Sequence, residues 1–389
     1  MTAPNTLDIN NPDSIRQVAS SLAFAAMSYY NGNVSSDPKM IGDLPEPYYW
    51  WQAGALWGIM MDYYHYTGDP SYNTVLTQAL TATVNTGPNH DFMPPEHEFE
   101  EGNDDLGFWG FAVMAAAEAN LTQPNNGLPS WLQYGVNIFD SLASRWNTTN
   151  CGGGLLWQIY ESNPNGLNYK NSVSNGGFFQ LATRLARATG EDKYIDWANK
   201  IWDWSVTVGF IDADLKVYDG ADARDNCTKT NYLSFTYSTG IYLYGTAVLA
   251  NHTGDAVWKE RTAKMLDTVK RDFFSPFDNS TNVMYEPACE TVNTCNTDMK
   301  TFKGYLSRFL WKSAVMVPEI SPIVRELLVP SALAAARICP ATPTSVTCGQ
   351  KWYTGEFDGS EGLGQTMGAL EVIQGLLSAS AAAPLADIA

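Results

Sequence analysis

The stretch Thr189-Gly190-Glu191-Asp192 indicates how the chain is organised, because it joins two segments that both have helical periodicity. An apolar segment begins at about Gly177 and ends at this stretch, and the segment that follows carries Tyr194, Trp197 and Ile201 at helical spacing. Glycine is typical of the end of a helix, and an acidic residue is typical of the first turn of the next one. The stretch therefore predicts a hairpin of two helices.

The same Thr-Gly-acidic junction occurs twice more, at Thr67-Gly68-Asp69 and at Thr253-Gly254-Asp255. The first ends a helix predicted over residues 50–66, and the second separates helices predicted over residues 237–250 and 257–273. One structural unit repeated along a chain is the signature of a repeat architecture. The three junctions therefore predict that one helical hairpin recurs along the sequence.

Further helices are predicted around these junctions, over residues 14–30, from Asn103 to the turn at 123–127, from Phe302 to the stretch at 317–322, and over 363–377. Counting gives about twelve helices in six hairpins, and apolar helices alternate with more amphipathic ones. This alternation suggests an inner and an outer ring, and so an all-α fold of the (α/α)6 barrel type. A linear helical solenoid is the alternative, although its repeats are usually shorter, at about 34 to 47 residues.

Residues 1–389 are predicted to form a single domain, since no linker interrupts the hairpins. The Ser/Ala-rich end, from about Ser378, is expected to be a stalk. The start of the chain is expected to follow the removal of a signal peptide, and its end the removal of a hydrophobic lipid-attachment tail.

The composition favours a large core and a neutral ligand. The residues are 45% hydrophobic and 16% charged, with 13 Trp, 20 Tyr and 16 Phe, so aromatic platforms are expected besides the core. The formal net charge of −18 makes nucleic acids and anionic membranes improbable partners. Sugars are compatible with that charge.

Six cysteines, an even number without a C-x-x-C pair, argue for disulfides rather than zinc. Proximity predicts the pairs Cys289–Cys295 and Cys339–Cys348, which leaves Cys151–Cys227 by elimination. Sequons for N-glycosylation begin at Asn33, Asn120, Asn147, Asn226, Asn251 and Asn279. Together they favour a secreted, extracellular protein.

Two adjacent carboxylates, Asp104 and Asp105, precede an apolar helical pattern, with Asn103 as the expected N-cap. Carboxylates this close cannot ionise independently, so one holds its proton more tightly than the other. A glycosidase needs such an unequal pair, one group as nucleophile or base and the other as acid. The alternative is that the two residues only cap the helix.

Long loops rich in Gly, Asn and aromatic residues lie between the hairpins, at residues 48–51, 151–157, 169–177 and 351–355. Loops of this length in a compact domain are usually functional. Several of them begin an apolar helix, so they are expected to gather at one mouth of the barrel, beside Asp104 and Asp105.

With these motifs the chain resembles glycoside hydrolase family 76, the endo-α-1,6-mannanases, and in particular the fungal cell-wall branch of that family. The motifs cover most of the chain in order. They are Tyr49-Trp-Trp-Gln-Ala-Gly-Ala-Leu-Trp57, Asn103-Asp-Asp105 with Trp109, Gly152-Gly-Gly-Leu155 with Trp157, Lys170-Asn171 with Asn175-Gly176, Phe302-Lys-Gly304 with Arg308, and Gly362-Leu-Gly364.

The resemblance implies an (α/α)6 barrel and a retaining mechanism, with Asp104 as nucleophile and Asp105 as general acid/base. Fungal members of this branch are thought to act on the α-mannose core of glycosylphosphatidylinositol (GPI) anchors and to transfer anchored proteins onto cell-wall glucan. The expected partners are therefore α-mannose-containing glycans and a β-glucan acceptor. A location in the cell wall, or at the outer face of the plasma membrane through a GPI anchor, is likewise implied by the resemblance.

Several side chains are candidates for substrate binding. Tryptophan rings can stack on sugar rings, asparagines can hydrogen-bond to hydroxyls, and single cationic side chains or a histidine can border the ligand. In each case core packing, capping or plain solvation is the alternative. The candidates are Trp50, Trp51, His97, Trp109, Trp157, Lys170, Asn171, Asn175 and Lys303.

Other classes of function make different demands on the sequence. The acidic segment from Asp91 to Glu101 has neither EF-hand spacing nor an H-E-x-x-H motif, so no metal and no cofactor is predicted. An inverting hydrolase would need a second, more distant carboxylate, with Asp62 or Glu356 as candidates. A glycan-binding wall protein could share the aromatic residues, but it would not need the carboxylate pair.

Overall fold

The computed structural model describes residues 1–163 and 165–388, and these fold almost entirely into helices. None of the helices described there is both long and apolar enough to cross a bilayer. Within these residues the α-helices are α1 Pro12–Met27, α2 Trp50–Thr67, α3 Asn73–Thr81, α4 Thr83–Thr86, α5 Asn103–Glu118, α6 Trp131–Ser144, α7 Ser172–Thr189, α8 Asp192–Thr207, α9 Thr236–Thr253, α10 Ala256–Phe273, α11 Met299–Met316, α12 Ser321–Arg337 and α13 Leu363–Gln374. A small antiparallel sheet orders β1 Tyr169–Asn171, β2 Gly220–Asp222 and β3 Thr230–Asn231 side by side.

Six helices form a closed inner ring. In the order α2, α5, α7, α9, α11 and α13, each packs against the next, and α13 returns to α2. The inner helices are buried on nearly all sides, whereas outer helices such as α8 and α10 bury one face only. The prediction of an (α/α)6 barrel is therefore confirmed, and a linear solenoid is excluded because the ring closes.

The predicted count of about twelve helices agrees with the structure once the four-residue α4 is set aside. Five pairs are hairpins of consecutive helices. In the sixth pair, the last helix α13 packs against the first helix α1. The two ends of the chain therefore complete the double ring together.

The Thr-Gly-acidic junctions share one local structure, which explains why the pattern repeats. Gly68, Gly190 and Gly254 all adopt the left-handed conformation, with φ of 76°, 69° and 69°, which favours glycine at the end of a helix. At each junction the threonine hydroxyl donates to the carbonyl four residues earlier and accepts the backbone N–H of the acidic residue. The motif thus ends one helix and turns the chain toward the next.

Two predicted helix starts differ from the structure. The α5 helix begins at Asn103 with Gly102 as its N-cap, so Asn103 is not the cap that the sequence predicted. The α7 helix begins at Ser172, five residues before the predicted start, because the Asn171 side chain accepts the backbone N–H of Ser174 and caps the helix there. In both cases the start of the helix depends on the contacts of one asparagine, Asn103 or Asn171, which hydrophobic periodicity does not reveal.

The C-terminal segment lies along the base of the barrel. Ser378 is buried, the backbone N–H of Leu385 donates to the Glu118 carbonyl (2.8 Å), and that of Ile388 donates to the Ala188 carbonyl (2.6 Å). Up to Ile388 the described residues therefore do not stand away from the barrel, as the expected stalk would.

All three predicted disulfides are present: Cys151–Cys227, Cys289–Cys295 and Cys339–Cys348. The first joins the loop before β1 to the segment between β2 and β3, across 76 residues of sequence. It thereby ties together two loops at the mouth of the barrel.

Candidate active site

A cleft of about 510 Å³ opens at the end of the barrel where the inner helices begin. It is lined by residues from the first turns or N-caps of α2, α5, α7, α9 and α11, among them Trp51, Asp104, Asn171, Tyr237 and Asp298. Helix N-termini carry partial positive charge and favour carboxylates nearby. The helix N-termini gathered at this mouth therefore favour the carboxylates that line the cleft.

The residues Gly102–Asp105, which we call the aspartate turn, carry the carboxylate pair. The backbone N–H of Gly102 donates to Asp105 Oδ2 (2.7 Å), and that of Asp105 donates to Asp104 Oδ1 (3.1 Å). Across the cleft, Asn171 Nδ2 donates to Asp104 Oδ2 (3.3 Å). Both carboxyl groups line the cleft, and Asp104 is the more exposed of the two.

The two carboxyl groups differ in how tightly they hold a proton. Burial raises the pKa of Asp104 to about 6. Burial, and then the charge of Asp104, raises the pKa of Asp105 well above its ordinary value. Near neutral pH this leaves Asp104 ionised and Asp105 protonated, the division of labour between a nucleophile and a general acid.

Asn103 fastens the aspartate turn to the cleft wall. Its Nδ2 donates to the Leu156 carbonyl (2.8 Å), and its backbone N–H donates to the Trp157 carbonyl (2.9 Å). Gly102 also pairs with Gln158 as an isolated β-bridge. Trp157 and Gln158 face the cleft, so the wall and the carboxylates share one hydrogen-bonded frame.

Three of the predicted binding residues line the cleft: Trp51, Trp157 and Asn171. The Trp51 ring packs against Phe108 at 4.5 Å between centroids, and its indole N–H donates to Asp298 Oδ1 (3.0 Å). This leaves the Trp51 ring oriented by contacts on two sides.

Trp50, His97 and Trp109 do not line the cleft but stack behind it. The Trp50 ring lies 5.1 Å from the His97 ring and 5.1 Å from the Trp109 ring, and all three side chains are buried. Burial lowers the pKa of His97 to about 4, so this histidine stays neutral at physiological pH. These side chains pack α2 against α5 and thereby support the aspartate turn from behind.

Lys170 and Asn175 also lie outside the cleft lining, and both organise a loop at its edge. Lys170 Nζ donates to three backbone carbonyls within residues 147–153. Asn175 Oδ1 accepts the backbone N–H of Leu155 (2.8 Å), and its Nδ2 donates to the Leu155 carbonyl (3.1 Å). The polar groups of Lys170 and Asn175 therefore hydrogen-bond to the protein backbone.

Lys303 is buried beneath the mouth and is likewise occupied. Its Nζ forms an ion pair with Glu290 (2.8 Å), donates to the Gln350 carbonyl, and lies 4.2 Å from the centroid of the Trp352 ring. The loop at 351–355 is expected from the sequence to reach the mouth, but its Trp352 is buried against Lys303 instead. Neither side chain lines the cleft.

The cleft also contains three acidic side chains outside the predicted site: Glu100, from the acidic segment at 91–101, and Asp219 and Asp298. Asp219 Oδ2 accepts from the Tyr169 hydroxyl (2.6 Å) and from Asn231 Nδ2 (3.0 Å). Burial raises the pKa of both Asp219 and Asp298. Glu100 and Asp298 precede inner helices and Asp219 precedes β2, and only the folding of the chain brings them to the cleft, so no local motif marks them.

Aromatic rings form the floor and the rim of the cleft. Tyr237 and Phe302 stack with their centroids 3.7 Å apart, and Phe108 lies parallel to Tyr237 at 6.4 Å. At the rim, Tyr49 is 49% exposed and Phe99 is 71% exposed. Large exposed rings beside carboxylates are suited to stacking on sugar rings.

The two carboxylates considered for an inverting mechanism lie elsewhere. Asp62 is buried in the barrel and forms ion pairs with Arg308 (2.7 Å) and Lys312 (2.9 Å). Glu356 is exposed on a loop and does not line the cleft. A distant partner for an inverting mechanism would have to be Asp219, Asp298 or Glu100 instead.

Comparison with known proteins identifies relatives along almost the whole chain. A family model described as glycosyl hydrolase family 76 matches residues 14–387. The mannan endo-1,6-alpha-mannosidase DCW1 of Saccharomyces cerevisiae is 42% identical over 369 residues, which are 94% of this chain and 80% of that protein. The mannan endo-1,6-alpha-mannosidase DFG5 of the same yeast is 40% identical over 381 residues, 97% of this chain and 81% of that protein.

Solved structures show the same architecture. Dfg5 from Chaetomium thermophilum, crystallised in complex with glucosamine, superposes with a TM-score of 0.92 at 38% identity and covers 98% of this chain and 94% of its own. An inactive variant of the α-1,6-mannanase GH76A from Salegentibacter, in complex with α-1,6-mannotriose, gives a TM-score of 0.71 at 20% identity, over 93% of this chain and 99% of its own. The second likeness concerns the fold alone.

Proposed function

The chain belongs to glycosyl hydrolase family 76, and from this premise we propose that it is a retaining glycosidase or transglycosidase acting on α-mannosides. The observation that carries the proposal is the adjacent and unequal pair at the cleft, the partly exposed Asp104 and the buried Asp105. A lectin could share the aromatic rim, but it would have no use for a nucleophile beside a proton donor.

In the proposed reaction, the ionised Asp104 attacks the anomeric carbon of the mannosyl donor, while Asp105 gives its proton to the departing glycosidic oxygen. The products of this step are a glycosyl ester on Asp104 and a free leaving-group hydroxyl. In the second step Asp105, now ionised, takes a proton from an acceptor hydroxyl, which attacks the same carbon and releases Asp104. Two displacements retain the anomeric configuration.

The substrate class is inferred from the relatives and from the chemistry of the cleft. The two yeast relatives described above are named mannan endo-1,6-alpha-mannosidases. Five acidic residues line the cleft and no Lys, Arg or His is among its described lining residues, which favours neutral or cationic sugars over anionic ones. An α-1,6-linked mannoside fits this cleft, with the Tyr237–Phe302 stack as its floor.

We further propose that the acceptor is a sugar hydroxyl rather than water. The donor would be the mannose core of a GPI anchor, and the acceptor would be β-glucan of the cell wall. Exposed rings on the rim, Tyr49 and Phe99, offer platforms on which an acceptor could stack and compete with water. Three disulfides are typical of a secreted protein, and a lipid anchor would hold the enzyme beside both substrates.

The test is to incubate the protein with an α-1,6-mannotetraoside or an anchor glycan, with and without β-glucan oligosaccharides, and to analyse products by mass and by anomeric NMR. We expect the product to retain the anomeric configuration of the donor. When β-glucan oligosaccharides are added, they should be found joined to the transferred glycan. Asp104→Asn and Asp105→Asn should each lower turnover by about 10³-fold or more, because each keeps volume but loses one catalytic role. Asp267→Asn, at an exposed position on the outer helix α10, serves as the control and should retain full turnover.

Each other outcome identifies a different enzyme. Hydrolysis alone at saturating acceptor would make the protein a mannan hydrolase, as the names of its relatives suggest. An inverted product would contradict the roles of Asp104 and Asp105 and point to Asp219, Asp298 or Glu100 as the distant partner. Binding without turnover in the unmodified protein would make it a glycan-binding protein.

A further inference from the structure

Arg145 lies behind the aspartate turn, immediately after α6, and does not line the cleft. Its Nε donates to Asn103 Oδ1 (2.7 Å), and its Nη1 donates to Ser141 Oγ (3.0 Å). Burial lowers the pKa of Arg145 to about 10, so the side chain stays charged at neutral pH. A partly buried cation is thus bonded to Asn103, the residue that directly precedes the catalytic pair.

Asn103 connects this cation to the cleft. Its side-chain oxygen accepts from Arg145, its amide nitrogen donates to the Leu156 carbonyl, and its backbone N–H donates to the Trp157 carbonyl. Because the oxygen side of the amide is held by a guanidinium, the nitrogen side must point at Leu156. Without that donor the amide could turn over, and the bond to Leu156 would be lost.

We propose that Arg145 is a positioning residue for the reaction proposed above. Through Asn103 it holds the aspartate turn against residues 156–158, and so it fixes the distance between the two catalytic carboxyls and the cleft wall that bears Trp157. The inference rests on the proposed function of Asp104 and Asp105, since Arg145 can act as a positioning residue only if these two carboxyls catalyse a reaction.

The surroundings of Arg145 explain why an arginine is required. Glu101, next to the aspartate turn, is 0% exposed, and burial raises its pKa to about 8, so it is neutral at pH 7. Burial lowers the pKa of Arg145, and the negative charge of Asp91 is the strongest opposing effect. The planar guanidinium can bond Asn103 and Ser141 in fixed directions while facing the negative charge of Asp91, whereas a lysine offers a single point charge.

A matched arrangement at the opposite end of the barrel provides the control. Arg187 Nε donates to Asn251 Oδ1 (2.9 Å), and Asn251 Nδ2 donates to the Met316 carbonyl (3.0 Å). The order of the three groups is the same as in the Arg145 network, but these residues end α7, α9 and α11 at the base of the barrel. A purely structural role for Arg145 should therefore behave like that of Arg187.

The experiment compares Arg145→Met, Arg145→Lys, Asn103→Ala, the double variant Arg145→Met/Asn103→Ala, and Arg187→Met on an α-1,6-mannotetraoside. We expect Arg145→Met to lower kcat about 10²-fold, since small misplacements of reacting groups have effects of this size. Arg145→Lys should recover little of the loss. The double variant should be no worse than the poorer single variant, because both changes break one network. Arg187→Met should lower Tm but keep kcat.

A readout independent of turnover separates this inference from the proposed function. Hydrogen exchange of the amides at 102–105 and 156–158 should become at least tenfold faster in Arg145→Met, and not in Arg187→Met or Asp104→Asn. If the unmodified protein has no mannosidase activity, the exchange result still decides whether Arg145 holds the turn.

Two results would overturn the inference. One is an Arg145→Met protein whose kcat stays within about twofold of the unmodified enzyme while its Tm falls as in Arg187→Met. The other is additive loss in the double variant, which would show that Arg145 and Asn103 act separately. Should Arg145→Met fail to fold, Arg145→Lys and Asn103→Ala make the same comparison with smaller changes.

Discussion

Asp104 and Asp105 are neighbours in sequence, yet the fold gives them different surroundings. Asp105 turns back on the helix start and accepts the Gly102 N–H, whereas Asp104 is more exposed and accepts from Asn171. Both carboxyls are destabilised as anions by burial, and the second also by the charge of the first. A single helix turn thus provides two chemically distinct groups.

The dependence of activity on pH follows from this difference. Asp104 must be ionised to attack, so kcat/KM should fall about tenfold per pH unit below about 6, where its pKa lies. Asp105 must be protonated, so activity should fall again once pH exceeds its raised pKa. Initial rates on a synthetic α-mannoside, measured upward from pH 4, would show this acid limb and then a loss of activity where Asp105 ionises. Full activity at pH 4 would contradict an ionised nucleophile of this pKa.

The same shift predicts that the catalytic pair costs stability. A carboxyl whose pKa is raised on folding stabilises the protein fully only below its ordinary pKa, and that contribution is lost as pH rises through the folded value. For Asp104 the window lies between about 4 and 6. Asp104→Asn should therefore be more stable than the unmodified protein at pH 7, by about 1 to 2 kcal/mol after allowance for partial exposure.

Urea unfolding at two pH values would measure this difference. The stability gained by Asp104→Asn should largely disappear at pH 3.5, because the Asp104 carboxyl is then mostly protonated in both the folded and the unfolded protein. A gain of equal size at both pH values would mean that packing, rather than the buried charge, limits stability at this position.

For individual residues, the sequence predicts which side chains take part in the reaction better than it predicts which residues those side chains contact. The carboxylate pair, Trp51, Trp157 and Asn171 could be found from motifs and from the family resemblance, and the structure places all of them in the cleft. Trp50, Trp109 and Lys170 belong to the same motifs but face inward or hold a loop. A motif records that a residue is needed near the site, not which way its side chain points.

At the scale of elements, the junctions between helices are the most predictable feature. Each Thr-Gly-acidic junction combines a glycine in the left-handed conformation with a threonine whose hydroxyl both donates and accepts a hydrogen bond. These bonds join residues within five positions of one another, so they can be inferred from sequence. The loops at the mouth are different, since Lys170 and Asn175 bond carbonyls about 20 residues away.

The junctions also predict the effect of substituting their glycines. An added Cβ at Gly68 or Gly254 meets no atom within 4 Å, so the only penalty is the left-handed backbone. Gly68→Ala and Gly254→Ala should each lower the free energy of unfolding by about 1 kcal/mol. The double variant should lose the sum of the two, because the junctions lie in separate hairpins.

Chemical denaturation of the two single variants and the double variant checks this expectation. Gly154→Ala is the contrasting case, because its φ is 93° and an added Cβ would also overlap the Trp204 ring. It should lose clearly more stability than either junction variant. Equal losses at Gly154 and Gly68 would show that the left-handed backbone alone sets the effect.

At the scale of the whole molecule, closure of the inner ring depends on both ends of the chain. The last inner helix, α13, packs between α11 and α2 and takes α1 as its outer partner. The sequence predicts the number of helices but not this pairing, since α1 and α13 are more than 330 residues apart. We propose that residues 1–389 unfold as one cooperative unit for this reason.

Buried acids away from the cleft give the whole molecule a pH-dependent stability. Burial raises the pKa of Glu101, Glu286 and Glu371 to about 8 in each case. Each group then releases its proton on unfolding between about pH 4.5 and 8, so its contribution to stability falls as pH rises through that window. The slope is as much as about 1.4 kcal/mol per pH unit for each group.

We therefore expect the protein to be most stable in mildly acidic solution and to lose several kcal/mol between pH 5 and pH 8. Calorimetry across this range should give a single transition whose Tm falls as pH rises. Glu286 provides the internal test, because its Oε2 accepts from the Thr236 backbone (3.0 Å) and hydroxyl (2.5 Å), contacts that a glutamine oxygen can retain. Glu286→Gln should reduce the slope by one group's share while keeping the cap of α9. A Tm that rises toward pH 8, or a slope unchanged in Glu286→Gln, would show that these acids are ionised in the folded protein.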